Sequence, residues 1–376
     1  MKFVEHEKEV PLIRYITKLV RALHYGEPMP EKPDELSWRD IFTHAYTHSV
    51  AGAIWNVVED AVTAADEDPE LIRRWSRERD LEYVKAIQQT RLFATLKEKF
   101  IESGVRFLPM KGLILRELWR KPEYRTMSDL DILIHKDGTD RAREIIESLG
   151  FSLVHDGDIH DQYNKPPYLT FELHHILEKD STLTFDDFTE SEQTPFMYEM
   201  KKEDFLTFVI SHIHKHYTHG GCGIRSIFDI RIYLEAYKDE IDMSLLEDKL
   251  KKQNLLDFYR IVTRLSEFWY GDGSLVPDDE IFREEYYISG GATYGTVMNR
   301  VRYDARTNGK FVYILSRAFP EFAIMAKLYP WLNKCPILLP ITWVMRWFAA
   351  LFDGRLKKEA NAIKTAEWKK EDGENN

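Results

Sequence analysis

Apolar residues recur at helical spacing in the first stretch of the chain. Leu12, Ile13, Ile16, Leu19, Val20 and Leu23 fall three or four apart and Gly26 follows, which predicts a helix over 9–24. Pro28, Pro30 and Pro33 mark a loop, and Ser37 with Asp40 three positions on resembles a capping box that starts a helical region through Trp55 and Val58. Asp68-Pro69 opens a long periodic stretch closed by Gly104. At ~1.5 Å per residue that helix would span about 50 Å. The pattern then changes. Val105 to Pro109 is a short apolar run that reads as a strand, Leu113 to Trp119 reads as a helix opened by Lys111-Gly112, and Met127 to Ile134 reads as a second strand after a polar loop with Pro122 and Arg125. A helix over Thr139 to Leu149 ends at Gly150, with strands expected at Phe151 to Val154 and Tyr168 to Ile176. The polar segment 155–167 between them reads as a loop or hairpin crossing.

From about residue 195 the helical period returns, through Glu203 to His216 and Ile224 to Tyr237 and on to Trp269, and 270–295 reads as irregular. These shifts divide the chain into a helical region over 1–100, an α/β core over 101–180 and a helical region over 181–376 that ends in a disordered tail. The most apolar run, Cys335 to Phe352, is interrupted by Pro336, Pro340 and Arg346. It predicts a buried or partner-facing helix rather than a membrane span, with peripheral membrane contact as the alternative.

Composition narrows the function classes. With 376 residues, 44% hydrophobic and 31% charged, the chain has the make-up of a globular protein of two or three lobes. A net charge of −11 argues against a surface that holds long nucleic acid, whose binding rests on neutralising phosphates. Two cysteines, Cys222 and Cys335, make no disulfide framework, and the start MKFVEHEKEV carries no apolar signal core, so the expected location is the cytoplasm.

Several residues carry candidate chemistry. Side chains two apart on a strand share a face, so Asp129 and Asp131 point one way while Leu130, Ile132 and Ile134 point towards a core. Two such carboxylates repel unless a cation sits between them, and oxygen-rich sites suit Mg²⁺. Lys111-Gly112 at a helix start joins a cation to a small residue and unpaired N–H groups, a ready phosphate site, and Arg125 offers a forked donor to the same phosphates. Glu172 and His174 share a face opposite Phe171 and Leu173. His44 and His48, four apart, are either ligands or packed side chains. His212, His216 and His219 fall on one face if the helix continues that far, which leaves open a zinc-dependent hydrolase.

The ordered set of strand, glycine-containing turn, helix and S-D-L-D on a second strand resembles the polymerase-β-like nucleotidyltransferase superfamily. That family usually has Gly-Gly or Gly-Ser where this chain has Lys111-Gly112. The wider pattern, K-G, an Arg shortly before S-D-x-D, then E-x-H and H-x-x-K-H, is similar to a poorly characterised bacterial branch of it. The resemblance implies an α+β protein whose small mixed sheet is flanked by helical regions. It implies transfer of a nucleotidyl group from a nucleoside triphosphate to a small-molecule or protein acceptor, with Mg²⁺ or Mn²⁺ as cofactor. Asp129, Asp131 and, as third carboxylate, Glu172 would hold the metal, with Asp158 and Asp161 as alternatives to Glu172. Lys111, Gly112, Arg125, Ser128, Lys215 and His216 would bind the nucleotide, and His174, His212 and Asp229 complete the matched set. Glu172 should then lie within ~8 Å of the aspartate pair. A nucleotide-binding protein with a decayed site is the alternative that the unusual Lys111-Gly112 raises.

Overall fold

The computed structural model describes residues 9–65, 67–179, 181–293, 295–352 and 363–364. The chain divides into two compact units, one comprising Met1–Ile213 and Gly223–Ser289, the other His214–Cys222 and Gly290–Asn376.

The first unit begins with helices α1 (Glu9–Tyr25), α2 (Trp38–Thr47), α3 (Ala51–Ala64) and α4 (Pro69–Glu102). Ser37 caps α2 by accepting the Asp40 N–H, as the sequence pattern requires. The helical region expected to run on through Trp55 is broken at Ser49, whose φ of +58° turns the chain before α3. Asp68 accepts the Glu70 N–H and Pro69 sits in the first turn, giving α4 the start read from the sequence.

Next come β1 (Phe107–Pro109), the single-turn helix α5 (Gly112–Leu115), β2 (Leu130–Ile134), α6 (Thr139–Ser148), β3 (Ser152–His155), β4 (His160–Lys165) and β5 (Leu169–His174). The helix expected over 113–119 is only that one α turn followed by a 3₁₀ turn at Arg116–Leu118. The segment 155–167, expected as a loop or hairpin crossing, is the β3–β4 hairpin and contains β4, a strand whose polar outward residues hide its alternation.

The five strands form one mixed sheet in the order β1-β2-β5-β4-β3, with β2 and β5 parallel and the other pairs antiparallel. Leu130, Ile132 and Ile134 of β2 join Phe171 and Leu173 of β5 and Tyr163 of β4 on one face, packed under Leu92, Leu96 and Phe100 of α4 and Ile145 and Ile146 of α6. Alternation therefore turns Asp131, Glu172, His174 and His160 to the opposite face. There a smaller apolar cluster of Leu108, Met110, Leu133, Leu177, Phe188 and Phe208 leaves the carboxylates at its margin. A two-stranded ribbon, β6 (Thr189–Glu190) with β7 (Tyr198–Glu199), precedes helix α7 (Lys202–Thr218), which passes from the first unit into the second. Helices α8 (Gly223–Ala236), α9 (Met243–Lys252), α10 (Leu256–Tyr270) and α11 (Asp279–Ser289) complete the first unit. The expected α+β class, with a small mixed sheet flanked by helices, is what the chain adopts.

The second unit contains α12 (Val297–Thr307), α13 (Lys310–Ala318), α14 (Phe322–Leu328) and α15 (Leu339–Phe352). The run 335–352 was expected to form a buried or partner-facing helix, and Ile341, Val344, Met345, Trp347 and Phe348 of α15 are exposed, so burial is not what it adopts here. The helix is held through Trp343 Nε1 to the Pro320 carbonyl at 2.9 Å and Trp347 Nε1 to the Ala318 carbonyl at 2.8 Å, which leaves its other side uncovered among the described residues. No described helix is long and apolar enough to cross a membrane. The tail expected to be disordered, 371–376, lies outside the described residues.

Candidate active site

The site grows from the parallel pairing of β2 and β5, whose register sets Asp131 directly beside Glu172. Both side chains leave the sheet on the face away from α4. Two residues along β5, His174 turns its Nε2 to 3.0 Å from Asp131 Oδ1 and 3.4 Å from Glu172 Oε2. One nitrogen thus touches both carboxylates, which brings them well within the expected separation. On the antiparallel neighbour β4, His160 is the register partner of His174, and its Nε2 lies 3.7 Å from Glu172 Oε1.

Lys111 approaches from the other side. Its Nζ donates to Asp131 Oδ1 at 2.8 Å. The residue holds φ +44° and ψ −111°, a backbone region that favours glycine, in the turn closed by the Leu113 N–H donating to the Met110 carbonyl. A lysine there stores strain of about 1–3 kcal/mol, the kind of strain that persists where surrounding contacts over-determine it.

Charge is unevenly shared among the carboxylates. Burial would raise the Asp131 carboxyl, but the Lys111 ammonium and the His174 imidazole outweigh it and hold Asp131 well below the usual range. Asp129 precedes β2 rather than lying in it, and Ser128 Oγ donates to its Oδ1 at 2.8 Å. Burial and repulsion by Asp131 and Glu172 push the Asp129 carboxyl up to about 6. A divalent cation would relieve that repulsion, and three carboxylates are a fitting donor set for one. His174 is raised, because its bonds to Asp131 and Glu172 outweigh its burial.

A pH dependence follows for stability. Because the folded state holds the Asp129 proton more tightly than the unfolded chain, it binds more protons between roughly pH 4 and 6, and this group's contribution to stability falls as pH rises through that window. Asp129→Asn removes the contribution. Urea unfolding at pH 4.5 and pH 7 should therefore find the variant gaining on the parent as pH rises; an unchanged difference would contradict this assignment.

Other expected site residues go elsewhere. Arg125 is only 7% exposed, and its Nε and Nη2 bind Asp229 Oδ1 and Oδ2 at 2.9 and 2.8 Å. Trp119 Nε1 donates to the same Asp229 at 2.9 Å. The fork expected to hold phosphate and the acid that completes the matched set instead form one buried pair. Gly112 serves that pair: a Cβ there would come within 2.6 Å of Met127 Sδ and 3.0 Å of Arg125 Nη1. Asp161 points to the α4 face and binds Arg143 at 2.7 Å and His175 at 3.1 Å, so it does not replace Glu172, while Asp158 is exposed in the β3–β4 hairpin.

The zinc arrangement on the histidine run is not formed, because α7 ends at Thr218 and His219 Nδ1 turns back to the Lys215 carbonyl at 2.6 Å. His44 Nδ1 sits against the Asp40 carbonyl, and buried His48 is held by the Ser289 carbonyl and the Ile224 N–H, so those two are packed side chains. Lys215 and His216 lie on the part of α7 that belongs to the second unit. His212, on the first unit's part, has its Nδ1 3.8 Å from Glu178 Oε1; burial lowers its pKa, with Lys111 and Asp131 both acting on it.

Two residues escaped the sequence reading. His160 lies on a strand of the segment read as a loop or hairpin crossing, and only its pairing with His174 reveals it. Lys85 of α4 is lowered by burial, which the charge of Asp129 opposes.

The profile of a family described as uncharacterised nucleotidyltransferase matches residues 34–271. The chain has no match among the curated proteins. Among solved structures it is similar to two of the antibiotic-resistance factor ANT(2'')-Ia. One is a solution structure, 10% identical with a TM-score of 0.37, covering 46% of this chain and 97% of that one. The other is a crystal structure in complex with adenylyl-2''-tobramycin, 11% identical with a TM-score of 0.36, covering 44% of this chain and 99% of that one.

Proposed function

The chain belongs to the uncharacterised nucleotidyltransferase family, and from that membership we propose that it moves a nucleotidyl group from a nucleoside triphosphate to a hydroxyl of a small molecule or a protein side chain. In this reaction the acceptor hydroxyl gives up its proton to solvent as its oxygen bonds to the α-phosphorus, the α–β phosphoanhydride bond breaks, and pyrophosphate leaves. The observation that carries the reading is the meeting of Asp131 and Glu172 as register partners, with Asp129 close enough to feel both charges. Asp129, Asp131 and Glu172 would hold the divalent cation, Mg²⁺ or Mn²⁺, and a cation so placed neutralises phosphate charge and polarises the phosphoryl oxygen. Asp131 is kept ionised for that task by Lys111 and His174. Lys111 also keeps an ammonium group beside the carboxylates, which softens the repulsion a triphosphate meets there.

Pyrophosphate release and transfer of label from each of the four triphosphates, assayed with Mg²⁺ or Mn²⁺ and with pooled small-molecule or protein acceptors, tests the reading. Label appearing on a small molecule or a protein supports it. Absence of cation-dependent label on either pool contradicts it.

Acidic residues outnumber basic ones by 63 to 52, so a track for an oligonucleotide is not expected. Fluorescence anisotropy with transfer RNA should give no submicromolar binding. Tight, salt-sensitive binding would overturn the choice of acceptor.

A further inference from the structure

We propose that His160, Glu172 and His174 form a site for a nitrogen-preferring first-row divalent cation of the Zn²⁺ or Co²⁺ class, beside the all-oxygen position at Asp129 and Asp131. This deepens the nucleotidyl-transfer reading and shares its carboxylate Glu172. The ligating atoms of the three residues lie within 4.8 Å of one another, and a single tetrahedral ion bonded at about 2.0–2.2 Å to each would draw them in to roughly 3.4 Å, a shift that side-chain rotation supplies.

The sheet builds this arrangement. His160 and His174 are register partners on antiparallel strands, and their rings sit 5.0 Å apart with 37° between planes. Glu172 lies two residues before His174 on the same face, and its two oxygens face the two rings, Oε1 at 3.7 Å from His160 and Oε2 at 3.4 Å from His174. Such positions are set by backbone ladders rather than by loop conformation, so the donor atoms stay together.

The hydrogen bonding around His174 asks for a positive charge. Its Nδ1 is 3.4 Å from the Ile176 carbonyl, a contact that an Nδ1–H satisfies. With that tautomer, Nε2 presents a lone pair to Asp131 Oδ1 and Glu172 Oε2. Three electron-rich atoms then converge, and either a proton or a metal cation must lie among them. A carbonyl behind a ring nitrogen is also the usual outer support of a metal-bound histidine. Two imidazoles and one carboxylate discriminate against Mg²⁺, which demands oxygen ligands, and favour the later first-row ions.

The test uses the full chain, stripped of metal, with Co²⁺ alone as probe and no nucleotide present. The expected result is one Co²⁺ per chain with a visible absorption band, displaced by Zn²⁺ and retained in a hundredfold excess of Mg²⁺. His160→Gln, confirmed folded by circular dichroism, should weaken Co²⁺ at least tenfold, whereas Asp129→Asn should leave it bound. Lack of Co²⁺ binding, displacement by Mg²⁺, or unchanged affinity in folded His160→Gln would overturn the proposal. The competition on the unaltered chain decides the matter if the variant does not fold. Because no nucleotide enters the assay, a failed transferase reading with Co²⁺ still bound, or the reverse, is told apart directly.

Discussion

Asp131→Asn is expected to remove nucleotidyl transfer, by about a thousandfold or more, equivalent to ~4 kcal/mol in the barrier. The same change should lower stability by about 3 kcal/mol, because it leaves the Lys111 ammonium in a buried site without its carboxylate. Asp131 is 5% exposed and has both Lys111 Nζ and His174 Nε2 on one oxygen, so the proposed cation ligand is also the anchor of a strained lysine turn. Asp129→Asn separates the two roles. Asp129 is pushed up to about 6 by burial and by its neighbours' charges, and removing its charge relieves repulsion rather than creating it. That variant should lose activity to a similar degree while unfolding at the same urea concentration as the parent, or a higher one, at pH 7. Steady-state rates and urea midpoints on both variants check this; equal destabilisation of the two would contradict the division of labour.

Asp229→Ala is the second large effect, expected to cost about 3–5 kcal/mol of stability because Arg125 then lies buried without a counter-charge. Asp229 is 2% exposed and holds Arg125 by two bonds and Trp119 by a third, tying α8 to the segment between α5 and β2. Urea unfolding measures it. A loss below about 1 kcal/mol, the size of an exposed pair, would show that the fork is not a structural tie. It would also return Arg125 to the phosphate role that its sequence position first indicated.

The history of Arg125 and Asp229 shows where sequence reading stops. Alternation along 127–134 and 168–176 was enough to place Asp131 opposite Leu130, Ile132 and Ile134, and Glu172 with His174 opposite Phe171 and Leu173, because a strand's period of two leaves no freedom. The same logic could not say which carboxylate a lysine twenty residues away would choose, nor that Arg125 would find an acid on a helix about a hundred residues later. Those pairings are decided by packing of distant segments. His160 was missed for a related reason: β4 carries polar residues on its outer face, so its pattern reads as loop, and only the hairpin register reveals it opposite His174. The one-turn α5 departs from the expected longer helix over an apolar stretch whose periodicity gives no stop signal before Trp119. The exposed apolar side of α15 illustrates the converse, since hydrophobic content alone does not ensure burial.

The proposed reaction requires that the carboxylates of the β2–β5 pair bind a nucleoside triphosphate through a divalent cation. Isothermal titration of the full chain with each triphosphate, in Mg²⁺ or Mn²⁺ and again in excess chelator, tests it directly. The account predicts binding that requires the cation and is lost in folded Asp129→Asn and Glu172→Gln. Affinity that is the same in chelator, or undiminished in both variants, would contradict it.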